Sequence, residues 1–331
     1  ETIIKKDMGG KKIIYRTYQF KGSTTEDTDH LATWGGRSLL GNTTTKNEIT
    51  LTGNHGGQNV YGGWTSGTGS TATGTDAKNH SIGNTITFNG AAASNTVGNM
   101  FGGVTVSPGG NATGNRAVLK GGKVTGSLTG GSVGAAGGNA TGNFVDIEGG
   151  EVSGATHGGF VVSTGKAEEN TVTLTSGTSD DLCGGSTASG NAEKNKVFVK
   201  GGTAQDVYGA SSTSGTVTGN TVEISGGTAQ KVYGGKAAHG HATKNIVEVT
   251  GGAVNQIIYG GEAGGSGKVE ENTVTLTNGT AGGDIYGGLA SSGDSVKNTV
   301  NINGGSATNK DVYGGWSTGG NATGNTVTIT A

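Results

Sequence analysis

The chain has 331 residues, of which 71 are glycine, one is proline and one is cysteine, and its formal net charge is −2. Such a balanced charge gives no electrostatic basis for binding nucleic acid or an anionic membrane. The single thiol, Cys183, excludes an internal disulfide and a zinc site built from several cysteines. Only 30% of the residues are apolar, and no run of about 18 of them occurs, so neither a wide globular core nor a transmembrane helix is predicted.

Residues 1–46 lack the sequence repeat that fills the rest of the chain. We predict that they form an N-terminal cap, mainly residues 1–22, and a degenerate first turn within residues 11–46. A cap is expected because the end of a repetitive stack exposes unpaired strand edges. Trp34, in Thr-Trp-Gly-Gly, matches an aromatic position of the later repeats and indicates the degenerate turn.

From residue 47 to residue 331 an asparagine returns at a spacing that is 25 to 31 residues along most of the chain. A period of this size predicts a repeat protein, whose units bury their apolar faces only against neighbouring units. The last copy is incomplete, and we therefore expect the chain to be a fragment of a longer protein. The recurring asparagines are Asn47, Asn84, Asn115, Asn143, Asn170, Asn195, Asn220, Asn245, Asn272, Asn298 and Asn325.

Each regular turn contains three short segments that read as strands. In one such turn, residues 221–225 alternate polar and β-branched apolar residues, which is typical of a half-buried strand. Residues 229–233 and 242–243 form two more short segments, and Gly-Gly pairs at 226–227 and 234–235 are predicted to end the first two. The pattern predicts an all-β fold, a single-stranded parallel β-helix of about 10–11 three-sided turns of roughly 25–31 residues.

Equivalent positions of successive turns are predicted to stack as columns. Apolar residues two and four positions after each asparagine, with apolar and small residues from the other two segments, would fill a narrow triangular interior. The asparagines are expected to stack at one corner, where their amides hydrogen-bond between turns and where Asn tolerates left-handed backbone angles. A further column is aromatic: Tyr61, Phe101, Tyr208, Tyr233, Tyr259, Tyr286 and Tyr313, with His157 and Cys183 in the same place in weaker repeats.

These repeats resemble the passenger domains of bacterial autotransporters (type V secretion) and related large β-helical surface adhesins. The shared phrases have the form Asn-Thr-Val-Thr-Ile-x-Gly-Gly, Val-Tyr-Gly-Gly and Gly-Asn-Ala-Thr-Gly, and they are clearest in residues 220–244 and 298–324. The resemblance covers residues 47–331. It implies an adhesin segment at the bacterial cell surface or outside the cell, which attaches to host cells or other bacteria through a surface protein or glycan. Any membrane contact would run through a C-terminal barrel that this chain does not include.

Little in the sequence points to chemistry, so we predict no enzyme, no cofactor and no metal site. His239-Gly-His241 offers two imidazoles without a third ligand. Many β-helices are polysaccharide lyases or hydrolases with long loops around a cleft, for which turns of 25–28 residues leave no room. A polysaccharide-degrading enzyme is therefore the least favoured alternative, and a passive spacer stalk is the nearer one.

Aromatic residues are the candidates for contact with a ligand or partner. Trp64 and Trp316 each follow a Tyr-Gly-Gly that begins at Tyr61 or Tyr313, and we predict that these four residues contact a partner. The alternative is that the tryptophans cover apolar surface at the two ends of the repeat array.

Two irregular turns are where we expect binding first. They run over residues 47–83 and 84–114, and insertions after Trp64 and at residues 91–96 lengthen the asparagine spacing to 37 and 31 residues.

Overall fold

The protein is a parallel β-helix built from three sheets, which confirms the predicted fold class. The computed structural model describes residues 2–8, 11–17, 32–38, 43–66, 80–307 and 310–330. Within these residues every regular element is a β-strand, and successive turns pair in parallel.

The first sheet has 11 strands, each of which follows a recurring asparagine. Its strands are Glu48–Leu51, Thr85–Asn89, Arg116–Gly121, Phe144–Ile147, Thr171–Leu174, Lys196–Val199, Thr221–Ile224, Ile246–Val249, Thr273–Leu276, Thr299–Ile302 and Thr326–Ile329.

The second sheet has 18 strands, because most turns contribute two pieces to it. Its strands are Ala32–Ser38, Asn59–Thr65, Thr96–Val97, Met100–Thr105, Lys123–Val124, Leu128–Val133, Glu151–Val152, Thr156–Val161, Thr178–Ser179, Leu182–Thr187, Thr203–Ser212, Thr228–Ala237, Ala253–Val254, Ile258–Ala263, Thr280–Ala281, Ile285–Ala290, Val312–Tyr313 and Trp316–Ser317.

The third sheet has 11 strands of two residues, each just before the next asparagine. Its strands are Thr44–Thr45, Ser81–Ile82, Ala112–Thr113, Ala140–Thr141, Ala167–Glu168, Ala192–Glu193, Val217–Thr218, Ala242–Thr243, Val269–Glu270, Ser295–Val296 and Ala322–Thr323.

The predicted core columns are confirmed in all but the last turn. Val222 and Ile224, for example, are fully buried, because side chains of a strand alternate between its two faces and these two point inward. Val327 and Ile329 differ, with 40% and 65% of their surface exposed, because no described strand lies on the far side of Thr326–Ile329.

The asparagines form a continuous hydrogen-bonded ladder inside one corner, as predicted. Asn195 shows the pattern: its Nδ2 donates to Asn220 Oδ1 at 3.0 Å and to the Ala167 carbonyl oxygen at 2.9 Å. Its Oδ1 accepts from the backbone N–H and the Nδ2 of Asn170, at 3.0 and 2.9 Å. The buried amide is thus fully satisfied, and each turn is tied to both of its neighbours.

The left-handed residue at this corner is not the asparagine, and that part of the prediction is wrong. The residue just before it has positive φ: 54° at Lys194, 56° at Lys244 and 65° at Gly219. The asparagine instead keeps a backbone that aims its amide into the ladder.

The two Gly-Gly pairs of a turn serve different purposes. Gly227, with φ 70°, ends the first strand through its backbone conformation, as predicted. Gly234 and Gly235 do not end the second strand, which runs through them as Thr228–Ala237. They are needed for space, because a Cβ at Gly235 would lie 2.6 Å from Asn245 Nδ2.

The N-terminal region contains a separate antiparallel hairpin, in which Thr2–Met8 pairs with Lys11–Thr17. The strand Ala32–Ser38 pairs in parallel with Asn59–Thr65 and so adds a turn before residue 47. Residues 1, 9–10, 18–31 and 39–42 lie outside the described residues. The cap and the boundary at residue 46 therefore stay predictions.

Candidate functional site

The outer side of the second sheet carries two columns of side chains, one on each side of the Gly-Gly pair. We call them the ring ladder and the flanking column, and together the outer aromatic face. The ring ladder is Trp34, Tyr61, Phe101, Thr129, His157, Cys183, Tyr208, Tyr233, Tyr259, Tyr286 and Tyr313. The flanking column is Arg37, Trp64, Val104, Ser132, Phe160, Ser186, Ser211, Lys236, Glu262, Leu289 and Trp316.

The rings of the ladder stack on one another in two runs. From Tyr208 to Tyr313 neighbouring ring centroids lie 4.8 to 5.4 Å apart and the rings are within 16° of parallel. A shorter run places Tyr61 6.1 Å from Trp34 and 5.2 Å from Phe101. Each such contact adds about 0.5–1.5 kcal/mol beyond the area that it buries. The ladder therefore stabilises the stack of turns as well as forming its outer surface.

Carboxylates two residues upstream hold several tyrosine hydroxyls. Tyr208 donates to Asp206 Oδ2 at 3.1 Å, and Tyr313 donates to Asp311 Oδ2 at 3.2 Å. Burial raises the pKa of Tyr259 to about 12, and neighbouring carboxylates act in the same direction. The hydroxyls thus stay protonated at neutral pH, and those of Tyr208 and Tyr313, whose protons are donated to the aspartates, offer acceptor lone pairs beside the rings.

The predicted contact residues lie on this face as two separate pairs. Trp64 follows Tyr61 on one strand, and the guanidinium of Arg37 lies over its ring at 5.0 Å, which partly covers it. Trp316 is 43% exposed and meets Tyr313 edge to face at 5.0 Å. Nine strand spacings, or about 43 Å, separate the two tryptophans, so they belong to two different stretches of the face.

The irregular turns differ in how much of them is described. The first insertion runs into residues 67–79, which lie outside the described residues. The second closes on itself, with the Ala92 N–H donating to Asn95 Oδ1 at 2.8 Å. It also packs against an earlier loop, since the Thr96 N–H and hydroxyl both donate to Asn54 Oδ1, at 3.1 and 3.0 Å.

The ring ladder is interrupted at Thr129, and a cavity lies there. Thr129 pairs with Phe101 in the turn before and with His157 in the turn after, and it puts a small hydroxyl side chain where neighbouring turns carry rings. The cavity has a volume of about 310 Å³. Ser132, the small residue of the flanking column at the same level, and Phe160 also line it.

The cavity begins in the second irregular turn and ends two turns later. Sequence reasoning missed it, although one signal was present: Leu-Thr-Gly-Gly at residues 128–131 has no aromatic residue where the column should continue. A depression of the same volume near Glu151, Thr178 and Gln205 is lined by no ring. It is the weaker candidate, because ligand sites combine apolar walls with a few polar groups.

The remaining titratable candidates have structural roles. His241 Nδ1 accepts a hydrogen bond from the Lys268 N–H at 2.8 Å, and in the described part of the chain no three His, Cys, Asp or Glu side chains are grouped to hold a metal. Cys183 is 3% exposed, and burial raises the pKa of its thiol to about 12. The thiol is therefore a protonated filler of the ring ladder, as its place in the sequence predicted.

Comparisons with protein-family models, with curated proteins and with solved structures each find no match. Across the residues described, no helix has the length and apolar character needed to cross a membrane.

Proposed function

We propose that this chain is a segment of a bacterial adhesin, displayed at the cell surface or secreted, that attaches to host cells or other bacteria. The outer aromatic face is the observation that carries the proposal. It aligns half-buried rings and tyrosine hydroxyls along the second sheet, and such side chains provide contact area at little conformational cost. The resemblance of the repeats to autotransporter passengers supports the bacterial setting and the location.

We further propose that the segment is not an enzyme. The adjacent carboxylates of Glu168 and Glu169 each lie 3.6 Å from Lys194 Nζ in an ion-pair cluster at a corner. That arrangement is typical of a solvated surface charge cluster. Cleavage of a polysaccharide by the purified chain would overturn this part of the proposal.

A passive spacer stalk is the second candidate, and the asparagine ladder favours it. The amide bonds run without a break from Asn47 to Asn325, as a rigid rod requires. If the chain is a passive stalk, none of the outer faces of the rod binds a partner.

Binding of the labelled chain to cells and to a glycan array separates these candidates. The chain offers a matched pair of variants, because Trp316 and Phe144 are both 43% exposed but lie in different sheets. We expect Trp316→Leu to weaken binding and Phe144→Leu to leave it unchanged. Binding that survives protease treatment of the target cells but not periodate oxidation identifies a glycan partner, and the opposite result identifies a protein. If the wild-type chain binds neither cells nor glycans, the stalk is the better account.

A further inference from the structure

The cavity lies at the level of Thr129, where the ring ladder has no ring. Thr129 and Ser132 form its floor, with only 1% and 8% of their surface exposed. Phe101 and His157 flank Thr129 in the adjacent turns, so they are two strand spacings, about 9.6 Å, apart. A ring at the level of Thr129 would lie about 4.8 Å from each of them. That matches the centroid separations of 4.8 to 5.4 Å within the tyrosine run.

The polar lining of the cavity is incompletely bonded. Within the described residues, the hydroxyls of Ser127, Thr129 and Ser132 have no hydrogen-bond partner. Asn99 accepts from the Ser127 N–H at 2.8 Å and donates to Asn59 at 3.0 Å, which leaves one amide N–H unused. Thr129 and Ser132 are already buried, so a ligand that bonds their hydroxyls offsets a cost of about 1–3 kcal/mol for each unpaired group.

The cavity is also uncharged. None of its lining residues is Lys, Arg, Asp or Glu, and burial lowers the pKa of His157 to about 4, so that this imidazole is neutral at physiological pH. A phosphate, a carboxylate or an ammonium group would enter without a counter-charge.

We propose that this cavity is a binding slot for one uncharged pyranose unit of a glycan, which completes the ring ladder between Phe101 and His157. A pyranose chair has two C–H faces, which pack on the rings above and below. Its hydroxyls lie around the edge of the ring, where they meet the hydroxyls of Ser127, Thr129 and Ser132. An aromatic side chain from a protein partner fits the stacking but leaves these hydroxyls unbonded. This proposal rests on the proposed function, because it takes the outer aromatic face as the contact surface. It adds that the partner is a glycan.

The test uses methyl glycosides of glucose, galactose, mannose and N-acetylglucosamine, titrated into the purified chain by calorimetry and by saturation-transfer NMR. A single sugar unit is expected to bind with a Kd on the order of millimolar. Thr129→Tyr fills the slot with the ring found at this position in other turns, and binding should fall at least tenfold. Thr173→Tyr makes the same exchange at a half-buried outward position of the first sheet, away from the outer aromatic face, and binding should stay within twofold of the wild type.

A second variant keeps the shape of the slot and removes its hydroxyls. Thr129→Val with Ser132→Ala should weaken the preferred glycoside by roughly 2- to 12-fold per hydroxyl. Circular dichroism and thermal unfolding confirm that each variant is folded, and we expect Thr129→Tyr to unfold at or above the wild-type temperature.

The outcomes separate the slot from the proposed function. Lack of binding of every glycoside to the wild type, or equal binding by Thr129→Tyr, overturns the slot. If cell attachment then persists unchanged in Thr129→Tyr, the adhesin proposal stands without the slot. If glycosides bind and Thr129→Tyr abolishes that binding, while no cell is bound, the slot stands and the adhesin proposal fails.

Discussion

Replacing one asparagine in the middle of the ladder should destabilise the whole stack of turns. Asn195→Ala removes the Oδ1 that accepts from both the backbone N–H and the Nδ2 of Asn170. Asn170 is fully buried, so water cannot replace the lost acceptor. Two buried donors left without partners at about 1–3 kcal/mol each give an expected loss of roughly 2–6 kcal/mol. The acceptor Asn220 Oδ1 suffers less, because it still receives the Asn195 N–H at 2.8 Å.

Asn325→Ala is the matched control for this substitution. Asn325 Oδ1 accepts the same two bonds, from Asn298 N and Nδ2 at 2.8 and 3.0 Å, but it is only half-buried. Asn298 is as fully buried as Asn170, but the space that the half-buried Asn325 side chain leaves is open to water, which can accept from both donors, and we expect a loss of about 1 kcal/mol. Urea denaturation gives the free energies of unfolding, and hydrogen exchange at the Asn170 amide reports the local effect. Equal losses for the two variants, or a loss below about 0.5 kcal/mol for Asn195→Ala, would refute the argument from buried donors.

Asn195→Asp adds a pH dependence to the same experiment. A carboxylate at this position cannot donate to Ala167 or Asn220, and burial would raise its pKa above the unfolded value of about 3.9. Because the folded-state pKa is raised, this variant is closest to the wild type below about pH 3.9 and loses stability as pH rises through the folded-state pKa. A stability difference between variant and wild type that does not change with pH would contradict this.

Three further predictions concern other columns. Gly185→Ala puts a Cβ 2.5 Å from Asn195 Cγ and should cost about 1–3 kcal/mol in urea unfolding; a neutral result would contradict the space argument. Lys194→Gly relieves a φ of 54° and should raise stability by up to about 1 kcal/mol, whereas Lys194→Val should lower it; the reverse order in thermal unfolding would be inconsistent with left-handed strain. Burial raises the pKa of Cys183 to about 12, so its contribution to stability is fully present below about pH 8.5 and is lost as pH rises toward 12. Cys183→Ala should lack that slope, and identical urea curves for the two proteins from pH 8 to about pH 10 would contradict it.

The architecture could be predicted because successive turns stack on one another, so that residues repeated at a fixed spacing in the sequence form a column in the structure. Once asparagines recur every 25 to 28 residues, residues at a fixed offset from them must meet in adjacent turns. Val172 and Val197 pair directly for this reason, and so do Tyr208 and Tyr233. The correct placement of Cys183 in an otherwise aromatic column follows from the same rule.

The reason why a residue type occurs at a given position was harder to predict, because the residue type does not show which of its physical properties that position requires. Glycine at 227 supplies a backbone angle, whereas glycine at 235 leaves room for Asn245. Ala210 occupies the equivalent place beside Asn220, so one methyl group is tolerated there, at the point where the pairing between Thr203–Ser212 and Thr228–Ala237 skips two residues. The left-handed lysines next to the asparagines gave no signal at all, since lysine rarely adopts that conformation.

The cavity at Thr129 stands out as a candidate site because the turns around it are regular. Thr129 gives up two ring contacts, worth about 1–3 kcal/mol together, at a level where the asparagine ladder is intact. Beneath it, Asn115 Nδ2 donates to Asn143 Oδ1 at 3.0 Å, and both asparagines are fully buried. The inner ladder thus holds the turns together without help from the outer one, which leaves the outer position free to lose its ring. A substitution that restores the ring should therefore raise stability and weaken binding. A repeat that had lost its ring without gaining a function would show the rise in stability alone.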